Sequence, residues 1–122
     1  MPSHILLVDD SPTIRKMVMA ALKPLGLSFG EAANGLEAVE QLSLHHYDAM
    51  VLDMNMPDMH GLEVIRYARA YEQYQQLPIL VLTTRSEAET KKEALDAGAN
   101  LYRTKPFTAP DLQAAVKELL GA

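Results

Sequence analysis

Five side chains in this sequence carry the chemistry: Asp9, Asp10, Asp53, Thr83 and Lys105. Carboxylates crowded into one small site raise each other's pKa unless a counter-charge is present. A hard cation with oxygen ligands supplies that charge, and Mg²⁺, or Mn²⁺ in its place, suits a carboxylate site that keeps waters for other ligands. A carboxylate is also a nucleophile toward phosphorus, giving an aspartyl phosphate. The phosphoryl oxygens arriving there need a metal, a cationic side chain and a hydroxyl or amide donor around them. Asp9 and Asp10 for the metal, Thr83 for the hydroxyl and Lys105 for the ammonium make up that set.

These residues are far apart in the chain, so secondary structure has to gather them. Ile5 to Val8 is a short continuous apolar run, as expected of a strand covered on both faces, and it ends in Asp9-Asp10. Ser11-Pro12 reads as a helix start, a capping side chain before a proline. Met17, Val18, Ala21, Leu22 and Leu25 give that helix one buried stripe, closed by Pro24 and Gly26, and Ile14 falls outside the stripe. Ser28 to Ala32 is a weaker strand near an edge. Asn34-Gly35 turns into a helix with Leu36, Val39 and Leu42 inward. Ala49 to Leu52 is a buried strand ending at Asp53, and Pro57 and Gly61 punctuate the loop after it. Leu62, Ile65 and Ala68 mark a third helix running to about Tyr74. Ile79 to Leu82 is the strongest strand, ending in Thr83-Thr84. Ser86 caps a short helix through Leu95, stopped by Gly98. Asn100 to Thr104 is the fifth strand, followed by Lys105-Pro106, and Leu112, Ala115, Val116 and Leu119 pattern the last helix.

Strict alternation of five strands and five helices implies a parallel sheet with helices on both faces. In such an open sheet the strand C-termini share one edge, where ligands bind. Asp9, Asp10, Asp53, Thr83 and Lys105 all stand at strand ends, so they converge in one crevice. Singly they are ordinary: Asp9-Asp10 reads as a strand-end cap, Thr83-Thr84 as a capping turn, Tyr102 as half-buried core and Lys105 as a turn residue. Their common edge changes that reading.

Val8-Asp9-Asp10, Asp53-Met54-Asn55-Met56-Pro57 with Gly61, Leu82-Thr83-Thr84, and Tyr102 with Lys105-Pro106-Phe107 occur in this order. In these pieces the chain resembles the receiver domain of response regulators, and among these the single-domain chemotaxis type. The resemblance spans nearly the whole chain, 1–122 as one receiver domain. It implies a (βα)5 flavodoxin-like fold with sheet order 2-1-3-4-5. It implies Asp53 as phosphoacceptor, with Asp9, Asp10, Asp53 and the backbone carbonyl of Asn55 around Mg²⁺. Thr83 becomes the switch hydroxyl and Tyr102 the aromatic that rotates inward with it. Lys105 pairs with the phosphoryl oxygens, and its bond to Pro106 is typically cis. A sensor histidine kinase or phosphotransfer protein becomes the donor, docking near Ile14 and Pro106, and the fourth helix, fifth strand and fifth helix become the output surface. Three positions depart from the pattern. Arg85 stands where the best-known chemotaxis receivers carry an acid, Lys91 where motor-binding receivers tend to be apolar, and Pro24 shortens the first helix.

Bulk properties narrow the alternatives. With 16 acidic residues against 11 Lys and Arg and a net charge of −5, the chain lacks the basic balance of a nucleic-acid binder. The absence of cysteine excludes disulfides, thiolate metal sites and cysteine nucleophiles. No apolar run approaches a membrane span, and residues 1–8 do not read as a signal peptide, so the expectation is a cytoplasmic protein without membrane partners. The last helix ends without a linker, which suggests a stand-alone chain, monomeric or dimerising on phosphorylation. The competing enzyme reading is a phosphohydrolase with an Asp nucleophile, but its usual second Asp is Asn55 here. A flavin carrier needs a neutral phosphate loop after the first strand, and Asp9-Asp10-Ser11-Pro12 has the wrong charge. His4, His45, His46 and His60 are scattered, with His45-His46 a solvated helix end, and Met50, Met54, Met56 and Met59 read as packing around Asp53.

Overall fold

The computed structural model describes residues 3–56, 59–84 and 87–121. Five strands alternate with five α-helices: β1 (His4–Val8), α1 (Pro12–Leu22), β2 (Ser28–Ala32), α2 (Gly35–Leu44), β3 (Ala49–Leu52), α3 (Gly61–Ala70), β4 (Ile79–Thr83), α4 (Ala88–Ala97), β5 (Leu101–Thr104) and α5 (Ala109–Leu119). All pairings are parallel, and the order is β2-β1-β3-β4-β5. The topology matches the expected flavodoxin-like sheet.

The continuous apolar strands follow from burial on both faces. Leu6 and Val8 of β1, Met50 and Leu52 of β3, and Ile79 and Val81 of β4 face one core layer, closed by Ala38, Leu42, Val64, Ile65 and Ala94 of α2, α3 and α4. The alternate residues Ile5, Leu7, Ala49, Val51, Leu80 and Leu82 face the other layer, closed by Val18 and Leu22 of α1 and by Leu112, Ala115 and Val116 of α5. This is the period-two pleat of a strand, read on both faces.

Helix ends follow their sequence signals. The Ser11 side chain accepts the Ile14 amide at 3.2 Å, Asn34 caps α2 through the Glu37 amide at 2.9 Å, and Thr108 caps α5 through the Asp111 amide at 3.2 Å. Gly98 closes α4 with φ +125°, a conformation that favours glycine.

Several elements differ from the sequence reading. Leu36 is exposed, not inward, and α2 buries Gly35, Ala38 and Leu42. Leu36 lies in the first turn of α2, off the line of Ala38 and Leu42. In α1 the buried line is Val18 and Leu22, and Ile14, four residues earlier, is half-buried on the same layer. Met17, the expected start of that stripe, is 50% exposed instead. One residue of helix is about 100° of rotation, which separates Met17 from Val18. Pro24 lacks the amide that would continue α1, and Lys23–Leu25 tightens into a 3-10 turn. The third helix stops at Ala70, with a separate 3-10 turn at Glu72–Tyr74. The fourth starts at Ala88 with Glu87 at its N-cap. The Pro57 turn, the Arg85 cation and the Ser86 cap lie outside the described residues. The three methionines Met50, Met54 and Met56 are buried in the α2–α4 layer, as packing.

Candidate functional site

The carboxyl edge of the sheet collects the expected residues. Asp9 follows β1 and Asp53 follows β3, and the two loops are tied because the Asp53 amide donates to the Val8 carbonyl at 2.9 Å. Thr83 is the last residue of β4, and the Lys105 amide donates to its carbonyl at 2.8 Å, holding the end of β5 beside it. Lys105–Pro106 is the cis peptide bond the resemblance implied. Gly61 matters here for close approach: a Cβ at that position would lie 2.4 Å from the Asp53 carbonyl and 2.8 Å from the Met54 Cα. Any side chain would therefore push the start of α3 off the loop that carries Asp53.

Within the cleft, one carboxylate oxygen each from Asp9, Asp10 and Asp53 lie within 4.8 Å of one another. Lys105 Nζ is 2.7 Å from Asp9 Oδ2 and 3.9 Å from Asp53 Oδ1. Asp9 is further engaged, its Oδ1 accepting the Ser11 amide at 2.9 Å. The Thr83 side chain and the Asn55 backbone lie close enough to the Asp53 carboxylate to act on its pKa. Burial raises the pKa of Asp53 above the ordinary carboxylate value. Lys105, Thr83 and the Asn55 amide pull it down, and the neighbouring Asp9 charge pushes it up again, but burial is the largest of these effects. Asp9 and Asp53 are 7% and 6% exposed, whereas Asp10 is exposed and its carboxylate has no hydrogen-bond or ion-pair partner among the described residues.

The donor set fits a hard divalent cation. It is made of oxygen only, and Lys105 is the one described cation within salt-bridge reach of its three carboxylates. The unpartnered Asp10 carboxylate faces solvent, from which an ion enters. Small octahedral Mg²⁺ is bound by one or two carboxylates with waters completing its shell.

The two expected switch residues are both buried. Tyr102 is 5% exposed, in the layer that contains Ala94 and Ala99. Thr83 is fully buried at the end of β4, close enough to Asp53 to lower its pKa. Ile14 and Phe107 are half-buried against the α1–α5 layer, while Pro106 is exposed. Lys91 is exposed on α4. The sequence reading missed Arg15, whose guanidinium donates to the Asp9 carbonyl and pairs with Glu31 at 2.9 Å. An arginine inside an otherwise apolar-periodic stretch was the only signal for it.

An α/β domain with this strand order and an aspartate-centred cleft at its carboxyl edge falls within a well-populated class of doubly wound folds. The profile of the response regulator receiver domain matches residues 5–117, and the chain belongs to that family. It is 38% identical over 115 residues to the sensor protein EvgS of Escherichia coli (strain K12), covering 94% of this chain but 9% of EvgS. It is 41% identical over 110 residues to the chemotaxis protein CheY-3 of Vibrio cholerae serotype O1, covering 89% of this chain and 85% of that protein. Thus the same domain spans most of one relative and a small part of another. Among solved structures, the receiver domain of the sensor histidine kinase PA1611 from Pseudomonas aeruginosa PAO1 superposes with a TM-score of 0.90 at 32% identity, covering 100% of both chains. That structure holds a magnesium ion coordinated in its active site cleft. No helix among the described residues is long and apolar enough to cross a membrane.

Proposed function

We propose that this receiver domain accepts a phosphoryl group on Asp53 from a phosphohistidine of a sensor kinase or phosphotransfer protein, and that the modification changes the surface formed by α4, β5 and α5. The observation that carries this reading is the single cleft in which Asp53 meets Asp9, Asp10, Thr83 and Lys105. An oxygen of Asp53 attacks phosphorus, the bond from phosphorus to the imidazole nitrogen breaks, and the imidazole leaves with the electron pair. Asp9, Asp10 and Asp53, with the Asn55 backbone carbonyl, would hold Mg²⁺ or Mn²⁺. Such an ion, when bound, neutralises the carboxylates and withdraws charge from phosphoryl oxygens. Lys105, already between Asp9 and Asp53, pairs with the oxygens that arrive. Thr83 donates to one of them.

A small-molecule phosphodonor with Mg²⁺ tests the proposal against the hydrolase alternative. Intact mass should show one added phosphoryl group per chain and little sustained phosphate release. Continuous release over many turnovers would favour the hydrolase.

Metal linkage is expected in the melting curve. At ten times its Kd, Mg²⁺ binding only the folded state adds about 1.4 kcal/mol of stability. For a chain of this size that is a rise of roughly 5 °C. Asp10→Ala should remove the rise while leaving the metal-free melting temperature within a few degrees, because Asp10 is exposed. Identical Mg²⁺ responses in wild type and variant would refute the ligand role.

The switch is then an equilibrium between two arrangements that differ at the buried Thr83 and Tyr102. Phosphorylation then adds acceptor oxygens that bias it by a few kcal/mol. Thr83→Ala should still accept phosphoryl groups but lose the coupling. Amide spectra with and without beryllofluoride report this. In wild type, shifts should reach Lys91, Tyr102 and Ala115, and shifts of equal size there in Thr83→Ala would sink the coupling role.

Donor docking is assigned to the rim around Ile14 and the exposed Pro106. Ile14→Glu should slow transfer from the kinase while sparing transfer from a small phosphodonor. Unaltered kinase transfer would remove Ile14 from the docking surface.

A further inference from the structure

The two carboxylates of the β1–α1 loop are held in different ways. Asp9 is fixed by its own side chain, through Lys105 at 2.7 Å and the Ser11 amide at 2.9 Å. Asp10, the next residue, has no such anchor among the described residues, so its direction depends on the backbone that leads into it. The peptide unit between Asp9 and Asp10 is planar. Fixing the Asp9 carbonyl therefore fixes the plane from which Asp10 departs. That carbonyl accepts a hydrogen bond from Arg15 Nη1.

Arg15 is in turn anchored from the other side. Its Nε donates to Glu31 Oε1 at 2.9 Å, and its side chain is only 14% exposed. Glu31 sits on β2 opposite Leu7 of β1. The chain of contacts runs from the edge strand, through two in-plane N–H donors of a planar guanidinium, to the carbonyl of Asp9 just after β1. Lysine, with a single head group on a flexible stem, could not hold both ends in this way.

We infer that Arg15 is a positioning residue for the cation site: through the Asp9 carbonyl it orients the peptide that carries Asp10. This rests on the reading that Asp9, Asp10 and Asp53 bind a divalent cation. Positioning and plain electrostatics have opposite signs here, which makes the role decidable. A positive charge beside a cation site repels the ion, so removing it should tighten binding if charge were all that mattered. Losing an outer contact that orients a ligand weakens metal binding, typically by about 10- to 100-fold.

The test is Mn²⁺ affinity measured by the paramagnetic resonance signal of the free ion, in wild type, Arg15→Met, Arg15→Lys and Asp10→Ala, with metal-free melting temperatures alongside. Methionine keeps the aliphatic stem and deletes the charge. The expected result is binding weakened about 10-fold in Arg15→Met and weakened as well in Arg15→Lys, which keeps the charge. Equal or tighter Mn²⁺ binding in Arg15→Met would overturn the inference, and so would wild-type affinity in Arg15→Lys. If Arg15→Met fails to fold, Arg15→Lys alone decides. The two levels of the reading separate cleanly. Wild type without Mn²⁺ affinity, or Asp10→Ala with full affinity, removes the cation site itself. Normal loss in Asp10→Ala with unchanged Arg15 variants removes only the positioning role.

Discussion

Asp53→Asn is expected to abolish phosphoryl uptake and, in metal-free protein at neutral pH, to raise the melting temperature. The first effect follows from the nucleophile: the amide has no carboxylate oxygen to attack phosphorus. The second follows from the cleft. Burial holds the Asp53 carboxyl above its ordinary range, which means that folding favours its protonated form. At neutral pH the group is ionised, so its charge opposes folding, and removing the charge removes that opposition. Asparagine keeps the shape and an oxygen that can accept from Thr83 and the Asn55 amide. A gain of about 1 kcal/mol would appear as roughly 4 °C for a chain of this size. Differential scanning calorimetry in chelator measures it. The sign should reverse in saturating Mg²⁺, where wild type has the more complete ligand set. A variant less stable than wild type without metal would contradict the electrostatic description of the cleft.

Lys105→Met should lose most phosphoryl uptake and destabilise the metal-free protein. The ammonium lies between Asp9 and Asp53, with both partners' side chains about nine-tenths buried. Removing it leaves these carboxylates facing each other without their only described cation. Breaking a well-buried pair costs about 3–5 kcal/mol. With Asp10 and the cleft mouth open to water, about 2 kcal/mol is the reasonable figure, or roughly 8 °C in melting temperature. Loss of one charge-stabilising group around a transferring phosphoryl lowers the rate by about 100-fold or more. Mg²⁺ and Lys105 neutralise the same carboxylates, so the Mg²⁺-dependent rise in melting temperature should be larger in the variant than in wild type. A smaller rise would show that Lys105 supports the ion and does not compete with it.

Much of this was legible in the sequence for a physical reason. Continuous apolar runs such as Ile5 to Val8 and Ile79 to Leu82 fit buried parallel strands, and each is followed by a polar residue, Asp9 or Thr83, at the carboxyl edge of the sheet. Once the strands alternate with helices, their ends share an edge, and Asp9, Asp53, Thr83 and Lys105 are brought together by topology alone. Helix phase was harder. Leu36 and Met17 are apolar but exposed, because an apolar side chain near a helix end or one residue off the stripe carries no mark that distinguishes it from core. Tyr102 could be placed beside the switch, but how deeply it is buried depends on how the helices pack on the sheet, which spacing does not reveal. Arg15 escaped notice because its bond is to a backbone carbonyl, and no spacing rule in the sequence points to one.

Whether Asp53 carries the phosphoryl group is decided by chemical mapping. Wild-type protein is treated with a small phosphodonor and Mg²⁺, reduced with borohydride, digested and sequenced by tandem mass spectrometry. An acyl phosphate is reduced to the alcohol, so homoserine is expected at position 53 and at no other aspartate, and only when donor and Mg²⁺ are both present. An unmodified Asp53 in a sample that has gained the mass of a phosphoryl group, or homoserine at Asp9 or Asp10, would contradict the assignment.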